Sequence, residues 1–177
     1  MKKLKLQELG RDSIQEFRKK QKIELVVVLD NIRSGMNVGS VFRTVDCIGA
    51  KKIILCGITP QPPHKEIFKT AIGAQESVDW AHEESIKDCI SNLKTQDYMI
   101  VGIEQTNESI TLANFEPSGD AKIAIVMGNE VDGLSESILS VLDRAVEIKQ
   151  FGTKHSLNVS VCAGIVLWEI ARKMRLG

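Results

Sequence analysis

One stretch constrains the fold more than any other. In Glu24–Asp30, Leu25, Val26, Val27, Val28 and Leu29 follow one another without a polar interruption. A short unbroken run rich in β-branched residues suits a strand covered on both faces, as in parallel sheets. Further strand candidates are Lys52–Cys56, Ser77–Trp80, Tyr98–Glu104, Lys122–Met127 and Ala145–Ile148. Helical spacings lie between several of them. Val38, Val41, Phe42, Val45 and Ile48 stop at Gly49, while Ile86, Ile90 and Leu93 mark a second helix. Ile138, Leu139 and Leu142 follow Ser135, which is placed to cap a third, and Leu157, Val161, Ile165 and Trp168 mark a long C-terminal one. Alternating strands and helices predict an α/β fold, a mostly parallel sheet with helices on both faces. In such sheets ligands sit in loops at the C-terminal ends of strands.

Composition narrows the function classes. With 177 residues, 43% of them apolar, the chain suits one folded domain. Net charge is zero, which excludes a globally basic nucleic-acid coat. The charge is unevenly spread, however: eight basic side chains face three acidic ones in residues 1–22, leaving the remainder acidic. Leu4, Leu6, Leu9, Ile14 and Phe17 predict a modest amphipathic helix over 4–20. The organisation expected is a basic helical extension at 1–22 and one domain at 23–177. Cys47, Cys56, Cys89 and Cys162 lack metal-ligand or redox spacing, and no apolar run is long enough to span a bilayer. A cytoplasmic protein without metal or membrane association is expected.

Three polar loops are candidates to carry the chemistry. The first, Asp30–Ser40, leads from the first strand into a helix with Asn31, Arg33, Ser34 and Asn37, and Arg43 follows inside the helix. It suits an anion, or it is a cap by Asn37 with Arg43 in a surface ion pair. The second, Met127–Ser135, reads Met-Gly-Asn-Glu-Val-Asp-Gly-Leu-Ser, in which Gly128 and Gly133 allow tight turns and close ligand approach; taken alone it reads more readily as a plain strand-to-helix turn, and no dinucleotide fingerprint is present. The third, Ile148–Ser160, places Ser156, Asn158 and Ser160 at the start of the most apolar helix. Capping needs only one such residue. His155 is a solvated loop histidine without a second ligand for zinc.

The ordered set Asn37-x-Gly-Ser-x-x-Arg-Thr44, Met127-Gly-Asn-Glu-x-x-Gly133 and Ser156-Leu-Asn-Val-Ser160 resembles the SpoU (TrmH) family of RNA ribose 2′-O-methyltransferases, of the SPOUT class. The likeness covers roughly residues 24–172. The strand ending Gly-Ile-Glu-Gln-Thr106 and the Ser-Leu-Asn-Val segment are similar to the tRNA guanosine-18 branch. The resemblance implies a C-terminal trefoil knot, which periodicity cannot reach because chains rarely thread loops, and a homodimer. It implies S-adenosylmethionine held near Glu104, Gly128, Ile148, Leu157 and Asn158. It further implies catalysis by Arg43 with Asn37, Glu130, Ser156 and Asn158, and RNA contacts by Arg33, Ser34 and Arg43. All are expected in one pocket. Lys149-Gln150 stands where many members have Pro-Met.

Methyl transfer to a ribose hydroxyl needs in-line alignment, loss of a proton and stabilisation of the oxyanion. A guanidinium remains protonated, so Arg43 suits the oxyanion and a neighbouring phosphate better than the role of general base. The basic extension either grips RNA or covers a dimer edge. The alternatives are methylation of the tRNA wobble nucleotide or of rRNA, and a non-catalytic RNA-binding factor. A hydrolase using His155 or Ser156 lacks an acid to orient the histidine.

Overall fold

The computed structural model describes residues 1–176. The elements in chain order are α1 (Ile14–Lys19), β1 (Ile23–Asp30), α2 (Gly35–Ile48), β2 (Ala50–Cys56), α3 (Lys65–Ala71), α4 (Ala74–Ser77), β3 (Trp80–Glu83), α5 (Ile86–Thr95), β4 (Met99–Ile103), β5 (Ile110–Thr111), β6 (Ile123–Met127), α6 (Glu136–Leu139), β7 (Arg144–Glu147) and α7 (Val159–Leu176). All seven strands join one sheet in the order β3-β2-β1-β6-β4-β7-β5. Every strand pairing is parallel.

The apolar run at 25–29 lies at the centre of this sheet, where it pairs with β2 and β6. Its side chains alternate between two cores. Leu25, Val27 and Leu29 pack with Phe42 and Val45 of α2 and Val166, Leu167 and Ile170 of α7. Val26 and Val28 pack with Ile90 and Leu93 of α5 and Ile138 of α6. Burial of each such side chain stabilises the fold by about 1.5–3 kcal/mol, and this explains why no polar residue interrupts the run.

α2 is closed by Gly49 at φ 64°, a left-handed position that suits glycine. Its start is fixed by Ser34, whose hydroxyl accepts from the Asn37 N–H at 3.3 Å. The expectation of Asn37 as the cap is therefore corrected. Asn37 sits three residues inside the helix, and its side chain is released for other contacts.

Several boundaries differ from the sequence expectation. Ser77 ends helix α4, because its hydroxyl bonds Asp46 and the Ala74 carbonyl, and the strand begins only at Trp80. The helix expected over 4–20 breaks at Gly10, φ 57°, into a 3-10 turn and the six-residue α1. The last strand runs one residue earlier than expected, and α7 starts at Val159 because Asn158 caps it. Ser135 stands at the start of α6 but its hydroxyl faces Ser137, and α6 stops before Leu142.

The strand order reverses beside β1: β2 and β3 continue to one side, and β6 and β4 lie on the other. The loops after β1, β4, β6 and β7 all leave the same edge of the parallel sheet. That crevice is where open α/β sheets bind ligands.

Candidate active site

Glu130, in the loop after β6, reaches across the crevice to the loop after β1. Its carboxylate accepts from the Arg33 N–H at 3.1 Å, the Ser34 N–H at 3.4 Å and the Asn37 side-chain amide at 3.0 Å. Asn37 Oδ1 in turn accepts from Asn158 Nδ2 at 3.2 Å. Asn158 Oδ1 caps α7 through the N–H groups of Ser160 at 2.9 Å and Val161 at 3.3 Å. Three loops are thus joined by a continuous polar chain, Glu130–Asn37–Asn158. Partial burial pushes the Glu130 carboxyl upward. The donors from Arg33, Asn37, Glu130's own backbone and Ser34 outweigh it and hold the group below its usual range. Glu130 is therefore an ionised anchor at neutral pH.

Beside this chain lies a cavity of about 660 Å³. Glu104, Gly128, Glu130, Ile148, Ser156, Leu157 and Asn158 all line it. Its shape depends on two glycines. A Cβ at Gly128 would collide with the Gly133 backbone, and one at Gly133 with the Glu104 carboxylate. Gly133 also has φ 65°. Glu104 stiffens this wall, accepting from the Leu134 N–H at 3.0 Å and the Gln105 N–H at 3.0 Å. The Val131 and Asp132 N–H groups are satisfied by Asn129 Oδ1, each at 2.9 Å. Across the cavity, the Gln105 amide donates to the His155 carbonyl at 2.9 Å. Gln150 points to that same carbonyl at 3.4 Å, so the loop carrying Lys149-Gln150 is tied down without proline.

Cys162, on the first turns of α7, also lines the cavity. Burial, reinforced by the Glu104 charge, pushes its thiol up to about 11. A thiol in that state is protonated and a poor nucleophile. This residue carried no signal in the sequence beyond its apolar surroundings. Gln105 and Asn129 were likewise legible only as loop polar residues.

Arg43 is not in this cavity within one chain. It is exposed on α2 and lines a second depression between α3 and α7, with Lys69 and Trp168. The expectation of a single pocket that includes Arg43 is corrected: Arg43 lies two turns along α2 from Asn37's end and faces outward. Arg33 is exposed near the crevice, while the Ser34 hydroxyl is engaged in capping. Among the described residues no cluster of His, Cys, Asp and Glu could hold a metal ion, and no helix is long and apolar enough to cross a membrane.

Comparison with known proteins shows the family and the fold. A Staphylococcus aureus protein described as a putative TrmH family tRNA/rRNA methyltransferase is 28% identical over 160 residues. The match covers 90% of this chain and 63% of that protein, so the chain spans under two thirds of such relatives. A TrmH/SpoU tRNA modifying enzyme from A. aeolicus superposes with a TM-score of 0.81 at 24% identity, covering 92% of this chain and 81% of that one. An AdoMet-bound rRNA methyltransferase from Sinorhizobium meliloti gives 0.78 at 28% identity, with 88% and 59% covered. The SpoU rRNA Methylase family model matches residues 24–168, and with most of its length matched the chain belongs to that family.

Proposed function

We propose that this protein transfers a methyl group from S-adenosylmethionine to a ribose 2′-hydroxyl of RNA, with tRNA of the guanosine-18 type as first substrate. The observation that carries the reading is the Glu130–Asn37–Asn158 chain beside a glycine-walled cavity. The cavity falls within the 300–1,000 Å³ range of small-ligand sites. Gly128 and Gly133 leave backbone close to where a ligand lies, and Glu104, Ile148, Leu157 and Asn158 would hold it. S-adenosylmethionine supplies an electrophilic methyl on a sulfonium. The protonated Cys162 thiol does not compete for that methyl. Asn37, fixed by Glu130 and Asn158, and Asn158, fixed by Asn37 and the first turn of α7, present amide groups that orient a ribose.

Arg43 is read as the group that holds the adjoining phosphate and stabilises the developing oxyanion. Because it faces away from its own cavity, it would serve the cavity of a second copy. The outward surface supports a homodimer: Val161, Ile165 and Trp168 leave an exposed apolar stripe on α7, and Phe68 of α3 and Ile72, just past its end, are exposed as well. The C-terminal segment is read as a trefoil knot. β7 lies between β4 and β5, and the chain passes the β4–β5 connection, where His155 accepts from Gln105, before α7 returns to α2.

The test is transfer of tritiated methyl from labelled S-adenosylmethionine to bulk tRNA and bulk rRNA, followed by mapping. Label in an alkali-resistant tRNA dinucleotide containing guanosine 18 is expected. Label at the wobble nucleotide or in rRNA replaces the substrate, and no transfer overturns the reading.

A further inference from the structure

The second depression, about 680 Å³ in volume, is not used by the cofactor cavity. Its lining joins Ser40, Arg43 and Thr44 of α2 and Lys69 and Thr70 of α3 to Ile72 and Trp168 of the face read above as the dimer surface, so a phosphate held here would lie where the two copies meet. The two cations form a pair: they line one concavity, and among the described residues neither forms an ion pair with a carboxylate. No acidic residue lines the depression. Two like charges sharing a concave surface repel each other, which costs free energy unless an anion lies between them.

The pairing is built by the helix crossing. At Gly39 there is no room for a Cβ, which would collide with Thr70 Oγ1 and the Ile67 carbonyl. Thr70 Oγ1 donates across the contact to the Met36 carbonyl at 2.8 Å. Arg43 lies one turn after Gly39, and Lys69 immediately precedes Thr70. The close approach that fixes α3 on α2 therefore also fixes Lys69 on the side of Arg43.

We infer that Lys69 is a second phosphate-binding residue, which with Arg43 forms a two-cation clamp on an RNA backbone phosphate. This rests on the reading of the chain as an RNA methyltransferase. The guanidinium offers bidentate hydrogen bonds to the phosphate and the ammonium a point charge, a division of labour that fits one phosphodiester. The bland role for Lys69 is a cation in the last turn of α3, facing the helix dipole.

The two roles separate on salt dependence. Binding of bulk tRNA and bulk rRNA would be measured against salt for the wild type, Lys69→Gln and Lys69→Arg, with S-adenosylmethionine affinity and thermal midpoint in parallel. Loss of one phosphate contact flattens the log–log slope by about 0.7–0.9. The clamp predicts that flattening in Lys69→Gln, a slope near wild type in Lys69→Arg, and unchanged cofactor affinity. An unchanged slope in Lys69→Gln overturns it. So does a change confined to dimer dissociation, which would mean an acidic segment of the second copy occupies the groove. Should the wild type transfer no methyl to either RNA while Lys69→Gln still flattens the slope, the catalytic reading fails and the clamp stands.

Discussion

Asn158 Nδ2 donates to Asn37 Oδ1 at 3.2 Å although 121 positions separate the two in the chain. The contact fixes the Asn37 amide, because its other end donates to Glu130. Replacing Asn37 with Asp would place a carboxylate oxygen against the Glu130 carboxylate. Hydrogen bonds to charged groups contribute about 1.5–3 kcal/mol, so Asn37→Asp should lower kcat/KM for RNA by about 10- to 100-fold. Steady-state kinetics check this, and a variant at wild-type rates would show that the chain of amides is only structural.

Asn158 has two tasks, linking Asn37 and capping α7. Asn158→Ala should cost about 1 kcal/mol of stability from the cap alone, with a further loss of cofactor affinity. Asn158→Ser should recover part of the stability and none of the link to Asn37. Thermal melts and calorimetry with S-adenosylmethionine separate the two effects.

The Glu130 carboxyl titrates below its ordinary value of 4.5 in the folded chain. A depressed pKa contributes stability that is present above the unfolded value and lost as pH falls through the folded value. Acid unfolding should therefore become shallower below about pH 4.5 in Glu130→Gln, which should also be less stable at neutral pH. No activity inflection near neutrality should belong to Glu130. Denaturant titrations across pH 3–7 measure the difference.

Gly128→Ala asks for a Cβ where the Gly133 backbone already stands. The turn must shift, at a cost of about 1–3 kcal/mol, and the cavity wall moves with it. Cofactor affinity should fall by more than RNA affinity. Parallel binding titrations with S-adenosylmethionine and tRNA provide the check.

α1 buries no residue, although it contacts α4. Deleting residues 1–20 should therefore barely change the thermal midpoint. If the basic extension grips RNA, tRNA binding weakens while cofactor binding persists. Equal loss of both would show that it is structural.

How much was legible in the sequence follows from the range of each interaction. The central strand could be read because burial on both faces demands an unbroken apolar run, as in 25–29. Gly49 could be read because a left-handed helix end selects glycine. The polar loops were visible as an excess of capping-type residues, but their union was not. Nothing local says that Asn37 meets Asn158, since the contact is made by strand order. The position of Ser34 as cap, the helical Ser77 and the short α3 and α4 were missed because they are set by single side-chain bonds and by packing on α2. Arg43's outward face follows from the 3.6-residue period, which places Phe42 in the core and its neighbour on the surface.

In the homodimer proposed above, one chain's cavity would work with the Arg43 of the other. Co-expression of Arg43→Ala with Gly128→Leu, each inactive alone, tests it through RNA methyl transfer by the purified mixed dimer. Activity should return, because one composite site combines an intact cavity with an intact arginine. A mixed dimer as inactive as either parent would contradict it.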